Sequence, residues 1–173
     1  MSSPDSVVRE AFARALEDWP RVYGFASTLV RDSASAEDLC QGAYTRLLER
    51  AATVDCSRSL LPLLLKIVRN LAVSEYRRRR PESLADPAAG LVDAQADDPS
   101  VVAERHERSA TLHDALERLP GNWGAAVYLK DGLAFSYREI GEVLEASEDT
   151  VRTMLHRARL RLSTLLSERT AGP

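Results

Sequence analysis

Apolar residues recur at three- and four-residue spacing along most of this chain, which is the pattern of amphipathic helices. In the first half the pattern predicts four helices, at about 7–18, 20–31, 36–51 and 60–79, and Ser35 is expected to cap the third. No segment alternates apolar and polar residues as a half-buried strand does. The sequence therefore predicts an all-α protein.

The helical pattern stops at 81–103, where Pro, Gly and Asp residues occur without periodicity. Such a composition predicts a flexible linker. Beyond it the spacing predicts helices at 104–118 and near 122–131, followed by a helix-turn-helix. A chain of 173 residues organised in this way is expected to form two small helical domains, 1–80 and 104–173, joined by an acidic linker.

The most informative segment is the predicted helix-turn-helix. Ser136 with Glu139 three residues later has the spacing of a capping box. Ser147, the last residue of the three-residue turn 145–147, is expected to cap the second helix. The second helix is predicted to bury its apolar face and to present these side chains outward: Arg152, Thr153, His156 and Arg159. That layout suits a helix entering the major groove of DNA. The alternative interpretation is a helical hairpin whose arginines are only solvated.

Charge is distributed unevenly in a chain of net charge −3. Six basic residues and one acid lie within 60–81, and four arginines and no acid lie within 150–162. Between these patches, 82–104 holds six acids and no basic residue. Two basic patches suggest contact with nucleic acid at two places, while the acidic balance elsewhere weakens unaided binding. A partner for DNA binding is therefore expected.

The sequence does not indicate an enzyme, a metal protein or a membrane protein. His106, His113 and His156 have no ligand or triad spacing, Cys40 and Cys56 have no metal-site spacing, and no glycine-rich phosphate loop occurs. We expect no catalytic residues, no metal and no cofactor. No apolar run approaches the roughly 20 residues of a membrane span, and no signal peptide is evident. Unpaired cysteines fit a reducing compartment, so a cytoplasmic location without membrane insertion is predicted.

Taken in order, these segments resemble the extracytoplasmic-function (ECF) group of bacterial sigma factors. The matching stretches are 29–47, 62–72 with 76–80, 115–120, and the helix-turn-helix through Leu162. Each is weakly specific alone, but the ordered set covers nearly the whole chain. The resemblance implies a subunit that binds core RNA polymerase and directs it to promoters. Residues 1–80 would then be a region 2-like domain, 81–103 the linker, and 104–173 a region 4-like domain.

The resemblance also implies roles for individual residues. Polymerase-binding positions on the third helix are occupied by Asp38, Gln41 and Arg46. The melted −10 element would be held by Asp55, Ser57, Arg58, Lys66, Arg69, Asn70, Ser74, Arg77 and Arg78. In the −35 duplex, base edges would be contacted by Arg152, Thr153 and His156, and phosphates by Ser147, Thr150, Arg157 and Arg159. An anti-sigma factor is an expected further partner.

Several positions depart from the family's usual pattern. In the first unit, Gly42 stands where the family usually has a glutamate, and Leu63 where it usually has an aromatic residue. After the Leu-Pro pair, the segment 121–124, which ends in Gly124, stands where an arginine is common. In the helix-turn-helix, Glu145 replaces the turn glycine and Met154 replaces a frequent arginine of the second helix. These changes bear on promoter strength and sequence preference rather than on the class of protein.

Two other classes of function remain open at this point. One is a stand-alone helix-turn-helix regulator that binds duplex DNA without polymerase, usually as a dimer. No convincing dimerisation helix or sensor domain supports it. The other is a helical adaptor that sequesters a partner, which leaves the two basic patches unexplained.

Overall fold

The computed structural model of the chain describes residues 4–51, 53–79, 115–116 and 118–170. Within these residues the regular structure is entirely helical, which confirms the all-α prediction. The predicted linker 81–103 lies outside the described residues, and so does the predicted helix 104–118 apart from 115, 116 and 118.

Four helices form the N-terminal unit: α1 (Pro4–Glu17), α2 (Trp19–Ser27), α3 (Ser33–Glu49) and α4 (Leu61–Arg79). Each overlaps a helix expected from the apolar spacing, although α2 ends before the predicted residue 31. Pro20 lies in the first turn of α2, where its missing amide proton costs no helical hydrogen bond.

One predicted helix cap is wrong. The N-cap of α3 is Asp32, whose Oδ1 accepts a hydrogen bond from the backbone amide of Ser35 at 2.7 Å. Ser35 therefore lies inside the first turn, and the helix begins earlier than expected. Both residues are good caps, and the extended backbone at Asp32 (φ −102°, ψ 144°) decides between them.

The core of the N-terminal unit lies among α2, α3 and α4. Its fully buried side chains include Phe25, Leu47, Leu64, Leu65 and Val68. Leu64, Leu65 and Val68 form the face of α4 that packs against α2 and α3. Burial of such side chains, at about 1.5–3 kcal/mol each, holds α4 and its polar positions in place.

Aromatic contacts attach α1 to this core. The hydroxyl of Tyr44 on α3 donates a 2.6 Å hydrogen bond to the carbonyl of Ala15 on α1. Trp19 stacks on the ring of Tyr44 with centroids 5.4 Å apart. Burial raises the pKa of Tyr44 to about 12, with the negative charge of Asp18 adding to the effect.

The C-terminal unit contains α5 (Trp123–Val127), which continues as a π-helix (Tyr128–Gly132), and then α6 (Tyr137–Leu144) and α7 (Glu148–Thr170). The helix predicted near 122–131 is present, but its second half is wound as a π-helix, which the apolar spacing did not indicate. Such wider turns are rare and often lie at functional sites. The core of this unit is formed by Leu119, Leu129, Ile140, Leu144 and Leu155.

The two units are in contact in this structure. Helix α4 packs against α6, and α2 touches the π-helix. The basic helix of the first unit therefore lies against the first helix of the helix-turn-helix.

Candidate nucleic-acid interface

The helix-turn-helix is built as the sequence predicts. Ser136 Oγ accepts from the backbone amide of Glu139 at 3.3 Å, and Glu139 Oε2 accepts from the amide of Ser136 at 2.7 Å. Both halves of the capping box are therefore present, and the hydrogen bonds from Ser136 hold the pKa of Glu139 below its usual range. Ser147 caps α7 by accepting from the amide of Thr150 at 3.2 Å.

The turn between α6 and α7 requires a close approach and a left-handed residue. A Cβ on Gly141 would lie 2.5 Å from the carbonyl oxygen of Ala146, so only glycine fits there. Glu145 adopts φ 53° and ψ 49°, the left-handed conformation that glycine adopts without steric cost. The chain therefore places a strained glutamate at the corner of the motif.

Helix α7 presents the predicted polar face to solvent. Val151, Leu155, Ala158 and Leu162 are buried, as their spacing indicated. Exposed positions are occupied by Ser147, Thr150, Arg152, Thr153, His156, Arg157 and Arg159. The structure brings all of the predicted −35 residues onto this one helix and its cap.

Neighbouring side chains orient two of the arginines. Arg152 Nη1 lies 2.6 Å from Asp149 Oδ1, and its guanidinium carbon lies 5.6 Å from the ring centroid of Tyr137. Arg159 Nη2 donates to Asp131 Oδ1 on the π-helix at 2.8 Å. Tyr137 and Asp131 were missed by the sequence analysis. Their spacing from the arginines follows no helical period, so only the tertiary structure reveals them.

Helix α4 carries a second basic surface. Lys66, Ser74, Arg77 and Arg78 are exposed, and Asn70 is half-buried. Ser74 Oγ donates to the carbonyl of Asn70 at 2.8 Å, and Arg78 Nη2 lies 2.5 Å from Glu75 Oε2. The side chains of Arg79 and Arg80 lie outside the described residues.

Arg69, one of the residues expected to hold the −10 element, is buried. Its exposed fraction is 8%, because α6 packs over it. Val73, one turn further along α4, is buried as well. Arg69 Nη1 donates to Glu145 Oε2 at 2.6 Å and to Asn70 Oδ1 at 3.0 Å. The apolar pattern of α4 alone could not anticipate this burial, since the covering helix belongs to the other unit.

The loop between α3 and α4 forms one wall of a cavity. Asp55 Oδ1 accepts from both the amide and the hydroxyl of Ser57, at 3.0 and 2.5 Å. These hydrogen bonds hold the pKa of Asp55 below its usual range. Ser57, Arg58 and Ser59 line a cavity of about 310 Å³ together with residues of α1. Of the loop residues predicted for −10 binding, Ser57 and Arg58 therefore line this recess, and Asp55 is hydrogen-bonded to Ser57.

The three predicted polymerase-binding side chains lie on α3. Asp38, Gln41 and Arg46 are all exposed. Leu48 on the same helix is also exposed, at 61%. Gly42 faces α4, and a Cβ at this position would lie 3.2 Å from Leu71 Cδ1.

Among the residues that the structure describes, no group of three or more His, Cys, Asp or Glu side chains could hold a metal ion. Within the same residues, none of the helices combines the length and the apolar character needed to cross a membrane.

The chain is similar to known protein families and to individual proteins. Residues 16–82 match the family model described as Sigma-70 region 2, and residues 109–162 match the one described as Sigma-70, region 4. The chain is 32% identical over 156 residues to the RNA polymerase sigma factor CarQ of Myxococcus xanthus, covering 86% of this chain and 84% of the relative. It is 29% identical over 147 residues to the ECF RNA polymerase sigma factor EcfG of Rhodopseudomonas palustris, covering 85% of this chain and 80% of the relative.

Two solved structures share the fold. The sigma factor RpoE of Bartonella quintana, solved in complex with the anti-sigma factor NepR, aligns with a TM-score of 0.69 at 22% identity over 90% of this chain and 95% of that one. CnrH, solved with the cytosolic domain of CnrY, aligns with a TM-score of 0.64 at 17% identity over 94% and 96%. At these identities the likeness concerns the fold.

Proposed function

The chain belongs to the ECF sigma factors of bacterial RNA polymerase, which direct transcription initiation, and we propose that its two helical units divide promoter recognition between them. This division is supported by one observation. Each of the two matched regions contains a helix with exposed basic side chains, α4 in the first and α7 in the second. Residues 1–80 would contact polymerase and the −10 element, residues 104–173 the −35 element, and 81–103 would link them.

In this proposal α7 lies in the major groove of the −35 element. Arg152, Thr153 and His156 point away from the buried face, where side chains can reach base edges. Phosphates flanking the groove would be held by Ser147, Thr150, Arg157 and Arg159. The hydrogen bond and ring contact to Arg152 support the assignment, because a pre-oriented guanidinium loses less side-chain entropy on binding.

The −10 element would be held by α4 and the loop before it. Lys66, Asn70, Ser74, Arg77 and Arg78, with Arg69 once uncovered, would contact the backbone and the bases of the melted strand. The recess beside Asp55, Ser57 and Arg58 would take an extruded base, whose unstacking costs a few kcal/mol. The polar hydroxyl and guanidinium groups lining that recess support this assignment.

Core polymerase would dock on α3 through Asp38, Gln41 and Arg46. Leu48 extends this surface with an exposed apolar side chain, the kind of group that a protein partner buries. Sigma factors are not enzymes, and we propose that this chain likewise acts by binding alone, in the cytoplasm and without a metal or cofactor. An anti-sigma protein is proposed as a further partner, by analogy with the sigma factor RpoE, which was solved in complex with one.

Co-elution with bacterial core RNA polymerase on a sizing column tests the proposal. We expect a one-to-one complex that transcribes from a promoter carrying −10 and −35 elements. If the chain elutes alone yet shifts duplex DNA unaided, it is a stand-alone helix-turn-helix regulator instead.

A double substitution then tests the division of labour. Arg152→Ala with His156→Ala should abolish use of the −35 element while polymerase binding stays intact, because both side chains lie on the second unit. Arg161→Ala, which removes the same charge from an exposed position further along α7, is the matched control. Loss of polymerase binding in the double variant would contradict the two-domain assignment.

A further inference from the structure

We propose that Glu145 latches the two DNA-reading units together in a closed form that cannot occupy a promoter, an inference that rests on the proposed function. The latch is the contact between Glu145 at the corner of the helix-turn-helix and Arg69 on α4. Arg69 Nη1 lies 2.6 Å from Glu145 Oε2. The two residues are 76 positions apart in sequence, so the contact reports how the units are packed.

The latch covers part of the surface assigned to the −10 element. Arg69 is 8% exposed, although its side chain is one of those proposed to contact DNA. Its Nε is buried without a hydrogen-bond partner among the described residues. Buried guanidinium nitrogens are normally paired, so the closed form leaves this cation incompletely satisfied. Because Glu145 satisfies Nη1 and leaves Nε unpaired, a DNA phosphate can replace Glu145 as the partner of Arg69.

The presence of glutamate at position 145 supports a role for its contact with Arg69. Glu145 holds a left-handed backbone that disfavours side chains with a Cβ, and glycine would occupy it without strain. Its carboxylate reaches Arg69, and Lys66 and Asn70 on the same helix also contribute to holding the pKa of Glu145 below its usual range. A glycine at this position would relieve the backbone strain but could not make the ion pair with Arg69.

A second contact holds the closed form independently of the DNA-binding side chains. The hydroxyl of Tyr128 on the π-helix donates to the carbonyl of Arg21 on α2 at 3.2 Å. Its ring fits against Gly24, where an added Cβ would lie 2.3 Å from the phenolic oxygen. The absence of a side chain at Gly24 therefore lets the ring of Tyr128 lie against α2 in this position.

Geometry makes the closed form incompatible with a promoter. Elements centred near −35 and −10 are separated by about 25 base pairs, or roughly 85 Å of B-form DNA at about 3.4 Å per base pair. Two readers joined by a 2.6 Å contact cannot reach both elements at once. The latch must therefore break before initiation. The apparent affinity of the chain for polymerase and promoter equals the affinity of the open form multiplied by the fraction of chains that are open.

Two substitutions should open the chain by different routes. Glu145→Gln removes the charge from the latch at nearly constant side-chain size. Gly24→Ala introduces the collision with Tyr128 without altering any residue assigned to DNA or polymerase. Glu142→Gln is the matched control. It removes a carboxylate from the last turn of α6, and that carboxylate pairs with Arg138 on the same helix and not with α4.

The experiment combines solution X-ray scattering of the free full-length chain with transcription at fixed core polymerase and increasing amounts of chain. We expect a larger radius of gyration for Glu145→Gln and Gly24→Ala than for the wild type and Glu142→Gln. The chain concentration giving half-maximal transcription should fall about fivefold or more, with the same rate at saturation. Melting monitored by circular dichroism checks that each variant is folded.

The outcomes separate the latch from the proposed function. If folded opening variants keep the wild-type radius, or expand without lowering the half-maximal concentration, the latch is overturned while the sigma assignment stands. If none of the chains supports transcription with core polymerase, the proposed division of function fails. The scattering comparison between Glu145→Gln and Glu142→Gln then decides by itself whether the contact holds the units together.

Discussion

The guanidinium of Arg152 lies 5.6 Å from the ring centroid of Tyr137, while its Nη1 donates to Asp149 at 2.6 Å. Tyr137 is the first residue of α6, so the ring fixes a side chain of the recognition helix from the helix before it. Lys130 also lies over this ring, with Nζ 5.1 Å from the centroid. Asp149 and Tyr137 therefore orient, in the free chain, the arginine that we propose reads base edges.

Removing the ring should weaken −35 recognition selectively. Tyr137→Leu leaves Arg152 without its stacking partner, and an exposed cation–π contact is worth about 0.5–1 kcal/mol, or about two- to fivefold in affinity. We expect that loss in competition assays between promoters with intact and altered −35 elements. Tyr137→Phe keeps the ring and should behave as wild type. Equal losses in the two variants would show that the hydroxyl, not the ring, matters.

The end of α4 should matter most while DNA is still double-stranded. Arg77→Ala with Arg78→Ala removes two exposed cations from the C-terminal end of the surface assigned to the −10 element. We expect slower open-complex formation on a duplex promoter and a much smaller defect on a pre-melted template. Fluorescence from a base analogue in the −10 element measures both rates. Equal defects on the two templates would mean that these arginines only hold phosphates.

The capping box should contribute measurable stability to the C-terminal unit. Ser136→Ala removes the acceptor for the Glu139 amide and should lower the free energy of unfolding by about 1 kcal/mol. Urea denaturation followed by circular dichroism measures this change. Arg138→Ala, an exposed neighbour in the same turn, should cost less, and a larger loss there would argue that the cap is not the source.

The charge of Glu139 gives the cap a defined pH dependence. Hydrogen bonds from Ser136 hold its pKa below the usual value of 4.5. A depressed carboxyl pKa contributes stability above the unfolded-state value, and that stability is lost as the pH falls through the folded-state value. Wild type should therefore exceed Glu139→Gln in stability at pH 7, and the gap should close below about pH 4.5. A gap that stays constant with pH would exclude the carboxylate as its source.

Cys40 should be chemically silent in the folded protein. Burial, reinforced by the charge of Glu37, raises the pKa of its thiol to about 12, and the side chain is fully buried on α3. Alkylation at pH 8 followed by peptide mass spectrometry should modify Cys40 at least about 100-fold more slowly in the native chain than in denaturant. Similar rates in both states would mean that α3 opens readily.

The sequence by itself determined where most of the described helices lie, the capping box, the three-residue turn and the outward face of α7. These features depend on local interactions: apolar residues at helical spacing, a serine placed three residues before a glutamate, and short loops. The resemblance to sigma factors followed from the order of such local segments, and the comparisons confirm it.

Only the tertiary structure decided what contacts these elements. The burial of Arg69, the fit of Tyr128 against Gly24 and the support of Arg152 by Tyr137 join side chains from different helices. Helical periodicity assigns a residue to a face of its own helix, but it does not say which other helix covers that face. Glu145 shows the difference most clearly, since the sequence marks it as an unusual turn residue and the packing of two units gives it a partner.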